Sequence, residues 1–74
     1  MQTFRLHVSE SNYDLSGLLT ILIHKTKRIP WNVKFRINSE LKTIDFECSF
    51  DTLERIEVFL ETIVTPAYQV ETVE

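Results

Sequence analysis

The stretch Trp31-Asn32-Val33-Lys34-Phe35-Arg36-Ile37-Asn38-Ser39-Glu40-Leu41-Lys42-Thr43-Ile44-Asp45-Phe46-Glu47-Cys48-Ser49-Phe50 decides the fold. Trp31, Val33, Phe35 and Ile37 alternate with Asn32, Lys34, Arg36 and Asn38. A period of two marks a strand with one face buried. Ile44, Phe46, Cys48 and Phe50 alternate in the same way with Thr43, Asp45, Glu47 and Ser49. Asn38-Ser39-Glu40 supplies turn residues between the two runs. The pattern predicts an antiparallel hairpin. With Phe35 near Ile44 or Phe46, Lys34 and Arg36 face the acidic Asp45 and Glu47, which supports the pairing.

Each side of the hairpin adds one strand and one helix. Upstream, Phe4, Leu6 and Val8 alternate with Thr3, Arg5, His7 and Ser9, so residues 2–9 read as a strand. From Leu15 the period lengthens, and Leu15, Leu18, Leu19, Leu22, Thr26 and Ile29 fall on one helical stripe. Asp14 is placed to accept an orphan backbone N–H as N-cap. Lys25, Lys27 and Arg28 suit the negative end of the helix dipole, and Pro30 stops the helix. Downstream, Asp51-Thr52-Leu53-Glu54 reads as a capping box. Leu53, Ile56, Leu60, Ile63 and Val64 form a second helical stripe, closed by Pro66. Residues 67–73 read as a last strand.

The order is β-α-β-β-α-β, the ferredoxin-like order of an α+β protein. Right-handed crossovers place both helices on one face of a four-stranded antiparallel sheet. The expected buried face holds Phe4, Leu6, Val8, Val33, Phe35, Ile37, Ile44, Phe46, Cys48 and part of the last strand. The expected open face carries Arg5, His7, Lys34, Arg36, Asp45, Glu47, Gln69 and Glu71, polar and of mixed sign.

Composition narrows the function. The 74 residues suffice for a single domain, 1–74, that buries only ~60% of its unfolded surface. At 43% hydrophobic and 26% charged, the chain is globular in composition. A net charge of -3 gives no bulk attraction to nucleic acid. No run nears the ~20 apolar residues that span a bilayer, and no basic start precedes an apolar segment. The expected location is therefore cytoplasmic, without membrane contact.

The reactive side chains do not form a catalytic set. His7 and His24 stand on different elements and read as solvated surface histidines rather than ligands. Cys48, the only cysteine, sits inward on a strand, with no local cation to stabilise a thiolate. No metal site and no cofactor are expected. An RNA-binding sheet of this topology shows aromatics on its open face, whereas Phe4, Phe35 and Phe46 point toward the helices. The loop Ser9-Glu10-Ser11-Asn12-Tyr13-Asp14-Leu15-Ser16-Gly17 has no cysteine for a heavy-metal module. Nor has it the glycine-rich, arginine-bearing cradle of an acylphosphatase.

The same loop meets a helix start at Asp14-Leu15-Ser16-Gly17-Leu18-Leu19, and Gly17 is the only glycine in the chain. Helix N-termini present unpaired N–H groups to anions, and glycine admits close approach. The alternative is a glycine that only gives room for packing. Both stay open at this point.

This junction resembles the Asp/Asn-x-Pro-Gly-x-Leu signature of ACT domains, with Asp14, Gly17 and Leu19 matching. Ser16 stands where proline is common, and Ile29-Pro30-Trp31 stands where a glycine usually follows the first helix. In order and length the likeness runs from Thr3 to Val73. Among ACT-like families the chain is similar to the short, single-domain small subunit of acetolactate synthase, which serves branched-chain amino-acid biosynthesis. The resemblance implies a non-enzymatic regulatory module, a homodimer, and partnership with a large catalytic subunit. It also implies an amino-acid ligand lined by Asn12, Asp14, Ser16 and Gly17. The N–H groups near Ser16 and Gly17 would hold the carboxylate, and Asn12 or Asp14 would receive the amino group. A second expectation is an interaction module of the same fold with no small-molecule ligand. Ile21, Ile23, Val58 and Phe59 are expected to need cover from an interface.

Overall fold

The structure is a computed structural model that describes residues 1–27 and 33–73. The elements run β1 Gln2–Val8, α1 Leu15–Lys27, β2 Lys34–Asn38, β3 Thr43–Cys48, α2 Phe50–Ile63 and β4 Tyr68–Val73. The expected roles of Arg28, Ile29, Pro30, Trp31 and Asn32 lie outside the described residues. The four strands form one antiparallel sheet in the order β2-β3-β1-β4. This is the ferredoxin-like fold, α+β, with the first strand central.

The register follows from the alternation. Phe35 pairs with Phe46, and Phe46 with Phe4, so three aromatic residues line up across β2, β3 and β1. Their rings stack at 5.6–5.7 Å between centroids in tilted geometry, which adds to simple area burial. Leu18 and Leu22 of α1 and Ile56 and Leu60 of α2 close over this face. Phe4, Leu6, Ile44, Phe46 and Cys48 are buried beneath them. Val8, Val33, Phe35, Ile37 and Val70 pack at the margin, half-buried. A fully buried Leu, Ile or Phe contributes about 1.5–3 kcal/mol, so this single layer supplies most of the favourable free energy.

The first helix begins as its sequence predicts. Asp14 Oδ1 accepts the Gly17 N–H at 3.0 Å, and the Asp14 carbonyl accepts the Leu18 N–H at 3.1 Å. The second helix begins two residues earlier than the expected Asp51 box. Ser49 is the N-cap, its Oγ accepting the Thr52 N–H at 3.2 Å. Asp51 lies instead in the first turn, where its charge suits the dipole. Phe50 is consequently the first helical residue and not the end of β3. Phe50 is 58% exposed, its ring packing edge-on against Phe4 at 5.7 Å. The strand alternation ran two residues past the true end, because Ser49 caps the helix and takes itself and Phe50 out of the strand. Helix α2 stops at Ile63, with Val64 as C-cap and its N–H on the Leu60 carbonyl, just ahead of Pro66.

The hairpin turn spans residues 39–42. Asn38 Oδ1 accepts the Leu41 N–H at 3.1 Å, and Lys42 takes a positive φ of 54° to return the chain. Among the described residues, no helix is long and apolar enough to cross a membrane.

Candidate functional site

Two regions are candidates for a functional site: the start of α1 and the open face of the sheet. At the start of α1, Asp14 and Gly17 are brought together, but by each other. The Asp14 carboxylate occupies the Gly17 N–H that would meet an anionic ligand. A Cβ on Gly17 would lie 2.5 Å from Asp14 Oδ2, so the lone glycine makes room for the capping carboxylate. The Ser16 carbonyl accepts the Thr20 hydroxyl at 3.0 Å, and Asn12 stands exposed in the preceding turn. None of the four residues lines the two main surface depressions.

One depression, of about 460 Å³, lies over His7, Ser9, Ala67, Tyr68 and Gln69 at the β1–β4 side. The other, of about 200 Å³, opens on the sheet face among Thr3, Lys34, Arg36, Asp45 and Glu47. Here the structure departs from a solvated polar face. Asp45 is only 5% exposed and Thr43 only 1%. Arg5 Nε donates to Asp45 Oδ1 at 2.9 Å, and Nη2 to Oδ2 at 3.3 Å, a forked pair across β1 and β3. The Thr43 hydroxyl donates to Oδ1 at 3.1 Å. These hydrogen bonds, Arg5 first, hold the Asp45 carboxyl below the usual carboxylate range against the opposing effect of burial. Arg5 is correspondingly raised, chiefly by its bond to Asp45.

The hairpin places Lys34 opposite Glu47 and Arg36 opposite Asp45, as the charge pattern predicts. Asp45, however, takes Arg5 as its ion-pair partner. His7 Nε2 lies 2.9 Å from Glu71 Oε1 on the same face, joining β1 to β4. Arg5–Asp45 is an ion pair, and His7–Glu71 is a hydrogen-bonding contact between side chains. Lys34, Arg36 and Glu47 remain exposed.

Cys48 is fully buried, and burial pushes its thiol up to about 11. That environment suits an inert core side chain, not a nucleophile. Among the described residues no group of three His, Cys, Asp or Glu converges as a metal site would require. Outside the sheet, Ile21, Ile23 and Val58 stand 45%, 43% and 66% exposed, as their positions off the two stripes predict. Phe59 differs: it is half-buried under the Lys25 ammonium, 5.1 Å from the ring centroid, a cation–π contact joining the helices.

The arrangement defines an α+β sandwich whose open face is an ordered array of charges. No family model matches the chain, and neither curated proteins nor solved structures give a match.

Proposed function

We propose that the chain is a non-catalytic, ACT-like regulatory module that works through assembly, as a homodimer and with a larger biosynthetic enzyme subunit. The resemblance suggests acetolactate synthase as that enzyme. The observation that carries the assembly role is the exposed aliphatic surface of Ile21, Ile23 and Val58 on the helix layer, opposite a charged sheet face. Exposed apolar side chains on the helix layer offer surface that an assembly partner would cover. Amino-acid sensing at Asn12, Asp14, Ser16 and Gly17 is part of the same proposal. It requires the ligand carboxylate to displace Asp14 from the Gly17 N–H.

The second reading is an interaction module with no small-molecule ligand. The Asp14–Gly17 hydrogen bond favours it, because the anion position at the helix start already holds a carboxylate.

A thermal-shift screen against the twenty amino acids, run beside light scattering, separates the two. A ligand at about 100 times its dissociation constant adds about 2.7 kcal/mol, a rise of several degrees for a domain this size. A rise with valine, leucine or isoleucine in a dimeric sample supports sensing. A dimer without any rise supports assembly alone, and co-purification with the large subunit of acetolactate synthase then tests the partner. A chain monomeric at high micromolar concentration that captures no large subunit rules both out.

A further inference from the structure

One row across the open sheet face carries a charge sequence that is its own complement. The register aligns Glu71, Arg5, Asp45 and Arg36 in one row across β4, β1, β3 and β2. Their charges run negative, positive, negative, positive. A row of this kind, turned end for end, presents each charge to its opposite. We propose that this face pairs with the same face of a second copy, about a two-fold axis parallel to the strands. The proposal rests on the assembly reading above and assigns it a surface and an orientation.

Under that axis β2 lies over the partner's β4, and β3 over the partner's β1. Arg36 then meets the partner's Glu71, and each Arg5–Asp45 pair meets the same pair reversed. The shapes agree with the charges. Glu71 presents its carboxylate from an exposed edge strand, its side chain 50% exposed. The depression of about 200 Å³ that faces it is rimmed by Lys34 and Arg36, whose cations make no ion pair with another described residue.

Two rival arrangements meet like charges. An axis perpendicular to the strands stacks Arg36 on Arg36 and Asp45 on Asp45. Edge-to-edge pairing through β4 is open to the backbone. Ser9 N–H donates to the Ala67 carbonyl at 2.9 Å, so by alternation Tyr68, Val70 and Thr72 turn their backbone groups outward. That edge runs beside α2, where the Tyr68 hydroxyl lies 3.5 Å from the Glu57 carbonyl and Glu57 and Glu61 stand near it. Antiparallel edge pairing centred on β4 would bring Glu71 near its own copy.

The face is small. Four strands about 4.8 Å apart and about five residues long at about 3.3 Å rise give on the order of 300 Å² per copy. Such an area fits a weak, salt-sensitive association rather than an obligate dimer. It leaves Ile21, Ile23 and Val58 on the far side, free for a larger partner.

Charge exchange tests the proposal. Sedimentation velocity is run at low and high salt on the wild type, Arg36→Glu, Glu71→Arg and the double variant, with melting curves as a control for folding. Each single reversal should weaken the dimer by about tenfold or more, and the double should return it to within a few-fold of wild type. Arg36→Gln, mild and exposed, should weaken it less than Arg36→Glu and covers the case of a misfolded reversal. Loss of the dimer in both singles with rescue in the double supports the surface and its axis. A dimer indifferent to all four changes overturns the surface while the assembly reading stands. Tightening by Arg36→Glu overturns the orientation. A wild type that stays monomeric at low salt overturns the homodimer itself.

Discussion

Arg5 and Asp45 are cross-strand partners 40 positions apart in sequence, joined by two hydrogen bonds of 2.9 and 3.3 Å. The pair ties the central strand to the hairpin and leaves Asp45 almost without solvent. A carboxylate so placed is stable only while its cation is present.

Acid should therefore find this pair first. The folded-state carboxyl of Asp45 lies below its unfolded value, so its contribution is fully present above about pH 4. It is lost as the pH falls through the lower, folded value. Melting temperature against pH should drop more steeply below about pH 4 in the wild type than in Asp45→Asn, and the two curves should converge at low pH. Arg5→Met should lower the melting temperature at neutral pH and remove the same acid-sensitive component. Parallel curves for wild type and Asp45→Asn would contradict the assignment.

Asp14→Ala should cost about 1 kcal/mol in urea unfolding, the usual worth of an N-cap. In a Gly17→Ala background the same change should cost close to nothing, because the added Cβ has already displaced the carboxylate. Gly17→Ala by itself sets a gain in helix propensity of about 1 kcal/mol against the lost cap, so the sum should lie near zero. Additive single changes would show that the two residues do not act as a unit.

At the second helix the caps can be ranked. Ser49→Ala should destabilise by about 1 kcal/mol, and Asp51→Ala by about 0.3–0.5 kcal/mol, since only the first removes a hydrogen bond to an orphan N–H. Chemical denaturation of the two variants settles the order. The reverse order would restore Asp51 as the cap.

The Cys48 thiol should resist a thiol-specific reagent at pH 8 in the native state and react within the mixing time in urea. Its native rate should follow global opening, so destabilising variants speed it in proportion. Cys48→Ser should lose about 1–3 kcal/mol by placing a hydroxyl among Phe and Leu side chains. A fast native reaction would mean that the site opens locally.

Much of the fold was legible because its signals are local. Alternation at Phe4-Leu6-Val8 and Phe35-Ile37, and the stripes through Leu18-Leu22 and Ile56-Leu60, each lie within one element. Ser49 and Phe50 were misread because alternation does not register where a strand stops. A serine able to turn its hydroxyl onto Thr52 ends the strand before the phenylalanine is reached. The burial of Asp45 was not legible for a different reason. Its near neighbours in the hairpin, Lys34 and Arg36, are cations of the right sign. Only the pairing of β1 with β3 brings Arg5 closer than either. The role of Gly17 was half legible: position marked a helix start, but the room it gives to Asp14 is a matter of side-chain geometry.

The place of β1 at the centre of the sheet has a kinetic consequence. Its two neighbours, β3 and β4, come from the far half of the chain, with Thr3 opposite both Glu47 and Val73. Only the β2–β3 hairpin can zip locally. Every other strand pair must close a large loop before any contact rewards it, which slows folding relative to a helical bundle of equal size. During synthesis the first strand must wait unpaired, Phe4 and Leu6 exposed, until β3 has left the ribosome, and its other edge stays open until β4 follows. The sheet is therefore completed after translation of the domain, and a chaperone that shields a short apolar strand would act in that interval.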